Sequence, residues 1–234
     1  MATKKKAAAS QTAYQSIREQ ILHLEIAPGS SISEIETAAK YNISRTPVRD
    51  VFKALEAEGL LEIKPHIGTF VSLIDLDMIS DILYIREVME QAIFKDLAAT
   101  YDKSQEYRIQ LVLQEQQEIL NSAMSKEEMS RAFIIADNRF HHTLYELAGK
   151  KNVSTFFNAI NSQYERFRTF INMSGKNDLQ RLYDDHVAIA ECISNNDLER
   201  LQNLISHHIY DGFNASALEV RKHPEYFKIA EKES

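Results

Sequence analysis

Two sets of residues in the 234-residue chain have types and spacings that could do chemistry. The first lies in Ser44-Arg45-Thr46-Pro47-Val48-Arg49. Arg45 and Arg49 are four residues apart, so on a helix they share a face near its start. A guanidinium is a planar fork of donors that can pair with O6 and N7 of guanine, at about 1–3 kcal/mol of discrimination per pair. Thr46 and the open N–H groups of a helix start suit phosphate, and Ser44 is counted with the DNA-binding residues at that start. Two arginines on an arbitrary helix are more often solvated charges. The base-reading role needs this helix to be the one that a helix-turn-helix places in the major groove.

The second set is Asp137, His141, His186 and His208. Asp137 and His141 fall on one helical face in line with Ile134, Leu144 and Ala148. His186 aligns with Leu182, Ile189 and Ile193, and His208 with Leu201, Leu204 and Ile205. Each imidazole therefore aims at an apolar interior. His142 and His207 fall on polar faces beside Glu146 and Asn203 and are left out. One inward histidine is most often a hydrogen-bonded core residue. Three with an aspartate are harder to bury without a common partner, because unpaired buried polar groups are costly. A divalent first-row metal would satisfy all four, with zinc the first candidate and nickel, manganese or iron the others; spacing alone does not choose among them.

The elements that must position these residues are legible from punctuation and periodicity. Gly29, Gly59, Gly68, Pro28, Pro47 and Pro65 crowd the first 70 residues, whereas Gly149, Gly175, Gly212 and Pro224 are spread over the rest. Dense breakers predict short elements and sparse ones long helices. Tyr14, Ile17, Ile21 and Leu24 give a first helix. Ser33 and Glu36 form a capping-box pattern for a second helix to about Tyr41. Ser44 caps a third, with Pro47 tolerated in its first turn, and it stops at Gly59. Leu60–Lys64, a turn at Pro65-His66-Ile67-Gly68, and Thr69-Phe70-Val71 read as a hairpin whose tip presents His66 and Gly68. A plain hairpin turn would account for Gly68 equally well.

Three helices and a two-stranded wing over residues 10–74 make a winged helix-turn-helix. From Asp77 the periodicity predicts helices at about 77–100, 104–123, 126–148, 152–173, 177–195 and 197–220, an all-helical antiparallel bundle over 77–220. In the first of these the apolar stripe reads Ile82, Val88, Met89, Ala92, Ile93 and Leu97. Residues 1–10 and 222–234 read as tails. The fold class is mainly α.

The formal charge of -7 divides unevenly: residues 1–74 carry a net +1, and the acidity belongs to the remainder. A nearly neutral first part can bind DNA when its cations share a face. The single cysteine excludes an internal disulfide and fits a reducing compartment. With no apolar run of membrane-spanning length and no hydrophobic leader, the expected location is the cytoplasm, with no membrane partner.

Leu24-Glu25-Ile26-Ala27-Pro28-Gly29, Ser33-Glu34, Ile43 to Arg49, Leu55-Glu56-Ala57-Glu58-Gly59-Leu60 and Gly68-Thr69-Phe70-Val71 resemble the DNA-binding domain of the GntR family of bacterial regulators. The resemblance implies operator contacts from Arg45, Thr46, Arg49, His66 and Gly68. Ile35 and Ile67 depart from it, standing where relatives often carry polar or basic residues. Asp137-x-x-x-His141, His186 and His208 are similar to the metal-binding pattern of the FCD effector domain, and the six-helix count resembles its VanR-type subgroup. That likeness implies a metal beneath a cavity for small carboxylates, such as sugar acids or central-metabolism acids, and a homodimer on pseudo-palindromic double-stranded operator DNA. It also makes Arg86 an effector-binding residue, although Glu90, four residues on, could equally hold it in a surface ion pair.

The expected function is a DNA-binding regulator, a repressor controlled by an effector, and not an enzyme. A metal-dependent hydrolase would also need a positioned general base, and no motif near the four ligands supplies one. A regulator with a purely structural metal is the other alternative.

Overall fold

The computed structural model describes residues 2–173 and 178–228. Among them no helix is long and apolar enough to cross a membrane. The chain divides into two compact units, one formed by residues 1–79, 159–169 and 220–234, the other by 80–158 and 170–219.

In the first unit α1 (Ala2–Leu22), α2 (Glu34–Tyr41) and α3 (Arg45–Ala57) carry the helix-turn-helix. Ser33 caps α2 by accepting the Glu36 N–H, and Asn42 ends it in the left-handed conformation (φ 52°). α1 already begins at Ala2, so the stretch read as an N-terminal tail is helical. It ends before Leu24, which turns the chain with φ 57°. Ile17, Ile21, Val48, Phe52 and Leu55 interlock with Leu60, Leu61 and Val71 in one core. Gly59 (φ 71°) ends α3 where an L side chain would be strained.

β2 (Leu61–Lys64) and β3 (Gly68–Val71) form the wing, paired antiparallel from Leu61↔Val71 to Lys64↔Gly68. The sheet has a third strand that periodicity missed, β1 (Ser31–Ile32), antiparallel to β3. Two residues carry no readable alternation; the strand exists because β3 offers it a partner edge.

The unit also draws in distant sequence. β4 (Ile74–Asp75) pairs in parallel with β5 (Phe227–Lys228), so residues read as a C-terminal tail are structured. The predicted helix over 152–173 is two helices, α7 (Lys151–Ile160) and α8 (Ser162–Met173). Asn161, a favoured capping type, separates them, and its carbonyl accepts the Glu165 N–H at 2.9 Å. Residues 159–169 pack with the winged fold. Ser162 Oγ donates to the Glu58 carbonyl at 2.7 Å and Gln163 Nε2 to that of Gly59 at 3.2 Å, both at the end of α3. Arg166 is fully buried. Its Nη1 donates to the Ser72 carbonyl at 2.7 Å and its Nη2 to Ser72 Oγ at 3.0 Å. Burial lowers its pKa to about 10.

The second unit is an antiparallel bundle built on α4 (Leu76–Ala99), α5 (Lys103–Leu120), α6 (Lys126–Leu147), α7, α9 (Leu179–Asn195) and α10 (Leu198–Ala215). A short α11 (Ala217–Lys222) follows a break at Ser216. Reciprocal capping boxes start α5 at Asp102 and α6 at Ser125. Ile93, Phe94, Leu97, Leu113, Phe140, Leu144, Ile189 and Ile205 fill the interior. The inward stripe of α4 differs from the expected one. Val88 is 52% exposed, while Arg86 and Glu90 turn inward beside Leu83 and Ile93. Charge at two inner positions disguised the true face.

Replacing Arg166 with Met removes every donor while keeping most of the volume. About 1–3 kcal/mol of unfolding free energy should be lost for each carbonyl left without a donor, measured by urea denaturation. Arg166→Lys should recover part of it.

Candidate metal centre and nucleic-acid interface

α6 brings Asp137 and His141 inward one turn apart, α9 brings His186 and α10 brings His208. All four are buried. One donor atom from each lies within 4.8 Å of the others. His186 Nε2 is 3.3 Å from His208 Nε2 and 3.5 Å from Asp137 Oδ1. His208 Nε2 is 3.4 Å from His141 Nε2.

The outer nitrogens explain this convergence. His186 Nδ1 lies 2.8 Å from Gln116 Oε1, and Gln116 is oriented by its own Nε2, which donates to the Ala136 carbonyl at 3.3 Å. His141 Nδ1 is 3.1 Å from Glu90 Oε2, and His208 Nδ1 is 3.4 Å from Asp185 Oδ2. Every Nδ1 lies within 3.4 Å of a side-chain oxygen of Gln116, Glu90 or Asp185, and the three Nε2 atoms turn inward; His141 Nδ1 and Glu90 Oε2 face each other without a hydrogen bond. With the ring protons on Nδ1, three Nε2 lone pairs and a carboxylate oxygen would face one another, an arrangement that a cation between them would relieve. Two donors about 2.1 Å from one zinc ion stand roughly 3.4 Å apart at a tetrahedral angle, so the separations suit one ion.

Glu90 is a node of this arrangement. Its Oε1 accepts from Arg86 Nε at 2.7 Å and from the Tyr145 hydroxyl at 2.8 Å. Burial alone would raise its pKa, but the Arg86 guanidinium, together with His141 and Tyr145, holds the carboxyl well below the usual range. Burial, reinforced by the Glu90 charge, pushes the Tyr145 hydroxyl far up. Burial also lowers His141, against the pull of Glu90, and takes His186 well below its ordinary value with help from His208. Arg86 is therefore held in a buried pair with Glu90, side chains 7% and 0% exposed, rather than a surface one.

Sequence reasoning missed Glu90 and Gln116 as partners of the ligands. Gln116 shares the buried stripe of Ile109, Val112 and Leu113, and a glutamine in an apolar stripe is the signal that could have found it.

In the winged unit Ser44 is the N-cap residue of α3, without a side-chain cap bond. Ser44, Arg45, Thr46 and Arg49 are all exposed at the start of that helix. His66 (φ 63°) and Gly68 (φ 151°) are exposed at the wing tip. Ile35 and Ile67 are 65% and 74% exposed. Sequence reasoning also missed Glu34, whose carboxylate accepts from both arginines: 2.9 Å from Arg45 Nη2 and 3.0 Å from Arg49 Nε.

A winged helix-turn-helix with cations at the head of its third helix, in one chain with a helical domain that buries an aspartate and three histidines together, defines a DNA-binding transcription regulator. The chain belongs to the GntR family of bacterial regulatory proteins with an FCD domain: the gntR-family model matches residues 9–71 and the FCD domain residues 81–211. It is 26% identical over 202 residues to the HTH-type transcriptional repressor RspR of Escherichia coli K12, covering 86% of each chain. It is 27% identical over 188 residues to the probable D-xylose utilization operon transcriptional repressor of Paenarthrobacter nicotinovorans, covering 77% of this chain and 76% of that one. Among solved structures, E. coli McbR/YncC has the same fold, with a TM-score of 0.68 at 14% identity over 90% of this chain and 98% of that one. The family and these relatives are transcription regulators, not enzymes.

The pH response of the cluster has a definite sign. Burial depresses the folded-state pKa values of His141 and His186 below 6.5, so the unfolded chain binds protons that the folded chain does not. Their stabilising contribution is complete above that pH and declines as the pH falls from it toward the folded values. Chelator-treated protein should lose thermal stability between about pH 7 and pH 5, and His186→Gln should flatten that dependence in calorimetry.

Proposed function

We propose that the protein is a repressor that binds a pseudo-palindromic operator as a homodimer and responds to a small carboxylate, such as a sugar acid or a central-metabolism acid. The convergence of three Nε2 atoms and the Asp137 carboxylate at one buried point carries this reading. Asp137, His141, His186 and His208 would hold a divalent ion, zinc first, with nickel, manganese or iron as alternatives. Such an ion would supply a Lewis-acid anchor for a carboxylate.

The chain's own residues do the rest. Gln116, Glu90 and Asp185 fix the three ring tautomers. Arg86 neutralises Glu90, whose other oxygen faces His141, and its charge can also attract an acid. In the winged unit Arg45 and Arg49 offer donors to base edges, Ser44 and Thr46 to phosphate, and the His66–Gly68 tip approaches the neighbouring groove. Two copies related by a two-fold axis match a palindrome, one recognition helix per half-site. Effector binding would change operator affinity by about 1–3 kcal/mol, the usual scale of such coupling. Two relatives named as repressors support repression as the outcome of operator binding.

The test combines metal analysis with ligand screening. Wild-type protein dialysed against zinc should retain about one equivalent per chain, and His186→Ala none. A thermal-shift screen of small organic acids should find one that stabilises the zinc-loaded protein and alters operator binding. No retained metal in the wild type would overturn the reading. On a duplex enriched from a random library, Arg49→Ala should bind about 10- to 100-fold more weakly in a gel-shift assay.

A further inference from the structure

Arg45 and Arg49 do not meet the solvent as two independent cations. Glu34, the first residue of α2 directly after its Ser33 cap, places one carboxylate between them. Glu34 Oε2 accepts from Arg45 Nη2 at 2.9 Å, and both carboxylate oxygens accept from Arg49 Nε, at 3.1 and 3.0 Å. The arginine side chains are 56% and 58% exposed, the glutamate 26%. Arg45 and then Arg49 hold the Glu34 carboxyl below its ordinary range, so it is ionised. Exposed ion pairs contribute little to folding, so fold stability is a weak account of a carboxylate shared by two arginines at the head of a recognition helix.

The atoms used are informative. Arg49 engages Glu34 through Nε, and among the described residues its two terminal nitrogens have no protein partner. Those terminal nitrogens are the pair of donors that matches O6 and N7 of guanine. A long side chain held at its neck loses less freedom when its end binds. The same carboxylate reduces the local charge of the trio from +2 to +1, which weakens attraction to phosphate whatever the sequence.

We propose that Glu34 is a specificity-determining residue of the operator interface. It buttresses Arg49, and with it Arg45, so that their remaining donors meet guanine edges, and its charge suppresses binding to DNA that lacks those guanines. This rests on the reading of Arg45 and Arg49 as base-contacting residues.

The test uses full-length protein, a duplex enriched from a random library, and a scrambled duplex of the same composition, with affinities measured by fluorescence anisotropy at several salt concentrations. Glu34→Gln keeps the side-chain shape and removes the charge. It should tighten scrambled binding several-fold, steepen its log-log salt slope by up to about 0.9, and lower the ratio of specific to scrambled affinity about tenfold. Glu34→Asp keeps the charge but shortens the reach; it should lower the ratio without tightening scrambled binding. In an Arg49→Ala background Glu34→Gln should change the ratio less than twofold. A ratio unchanged in both Glu34 variants, or one that falls equally with and without Arg49, overturns the proposal. Full specific binding by Arg49→Ala instead overturns the reading beneath it. Thermal midpoints of the variants, expected within a few degrees of wild type, confirm that folded proteins are compared.

Discussion

The second unit is organised around one electrostatic constraint: three imidazoles and a carboxylate are buried against one another, and the polar atoms of each must be compensated there. α6, α9 and α10 must therefore keep a register in which three Nε2 atoms and a carboxylate oxygen meet. α4 and α5 must keep theirs so that Glu90 and Gln116 reach the outer nitrogens. Apolar packing would tolerate small slips of such helices, since Leu, Ile and Phe exchange partners at modest cost. The polar set does not, because a displaced ring leaves a buried donor or acceptor without its partner. The buried cluster thus constrains the bundle's geometry as well as forming a place that could hold a metal ion.

The convergence was legible in the sequence because each of Asp137, His141, His186 and His208 interrupts an apolar stripe at helical spacing. His186 between Leu182 and Ile189, and His208 after Leu204 and Ile205, carry their direction in their neighbours. The recognition helix was equally readable, since Ser44, Pro47 and Gly59 mark its ends and Val48, Phe52 and Leu55 its inner face. What escaped detection depends on pairs distant in sequence. The two-residue strand β1 has no periodicity of its own. Glu34 gains its meaning from Arg45 and Arg49, which belong to the next helix. Arg86 and Glu90 concealed the inner face of α4 because charge was read as exposure. The break at Asn161 separates two amphipathic helices whose combined pattern reads as one.

The two carboxylate–arginine arrangements differ in what surrounds them. Glu90 and Arg86 are removed from water, and their attraction is large enough to keep the glutamate ionised against burial. Loss of either partner would leave an uncompensated interior charge. Glu34 and its arginines remain in water, where the same contact is worth little to the fold and leaves the terminal nitrogens of Arg49 open. The buried pair belongs to the scaffold around the histidine cluster, whereas the exposed trio stays open to solvent on one side.

The parallel pairing of Ile74 and Asp75 with Phe227 and Lys228 also bears on how the protein can be handled. The strand that follows the wing finds its neighbour more than 150 positions later in the chain, and Lys228 Nζ closes on Asp75 at 2.9 Å. A shortened gene product ending before Phe227 would bare the Ile74 backbone edge and uncover an isoleucine that is otherwise fully buried. Such a product could aggregate through that sticky edge while retaining both the DNA-reading helix and the histidine cluster intact.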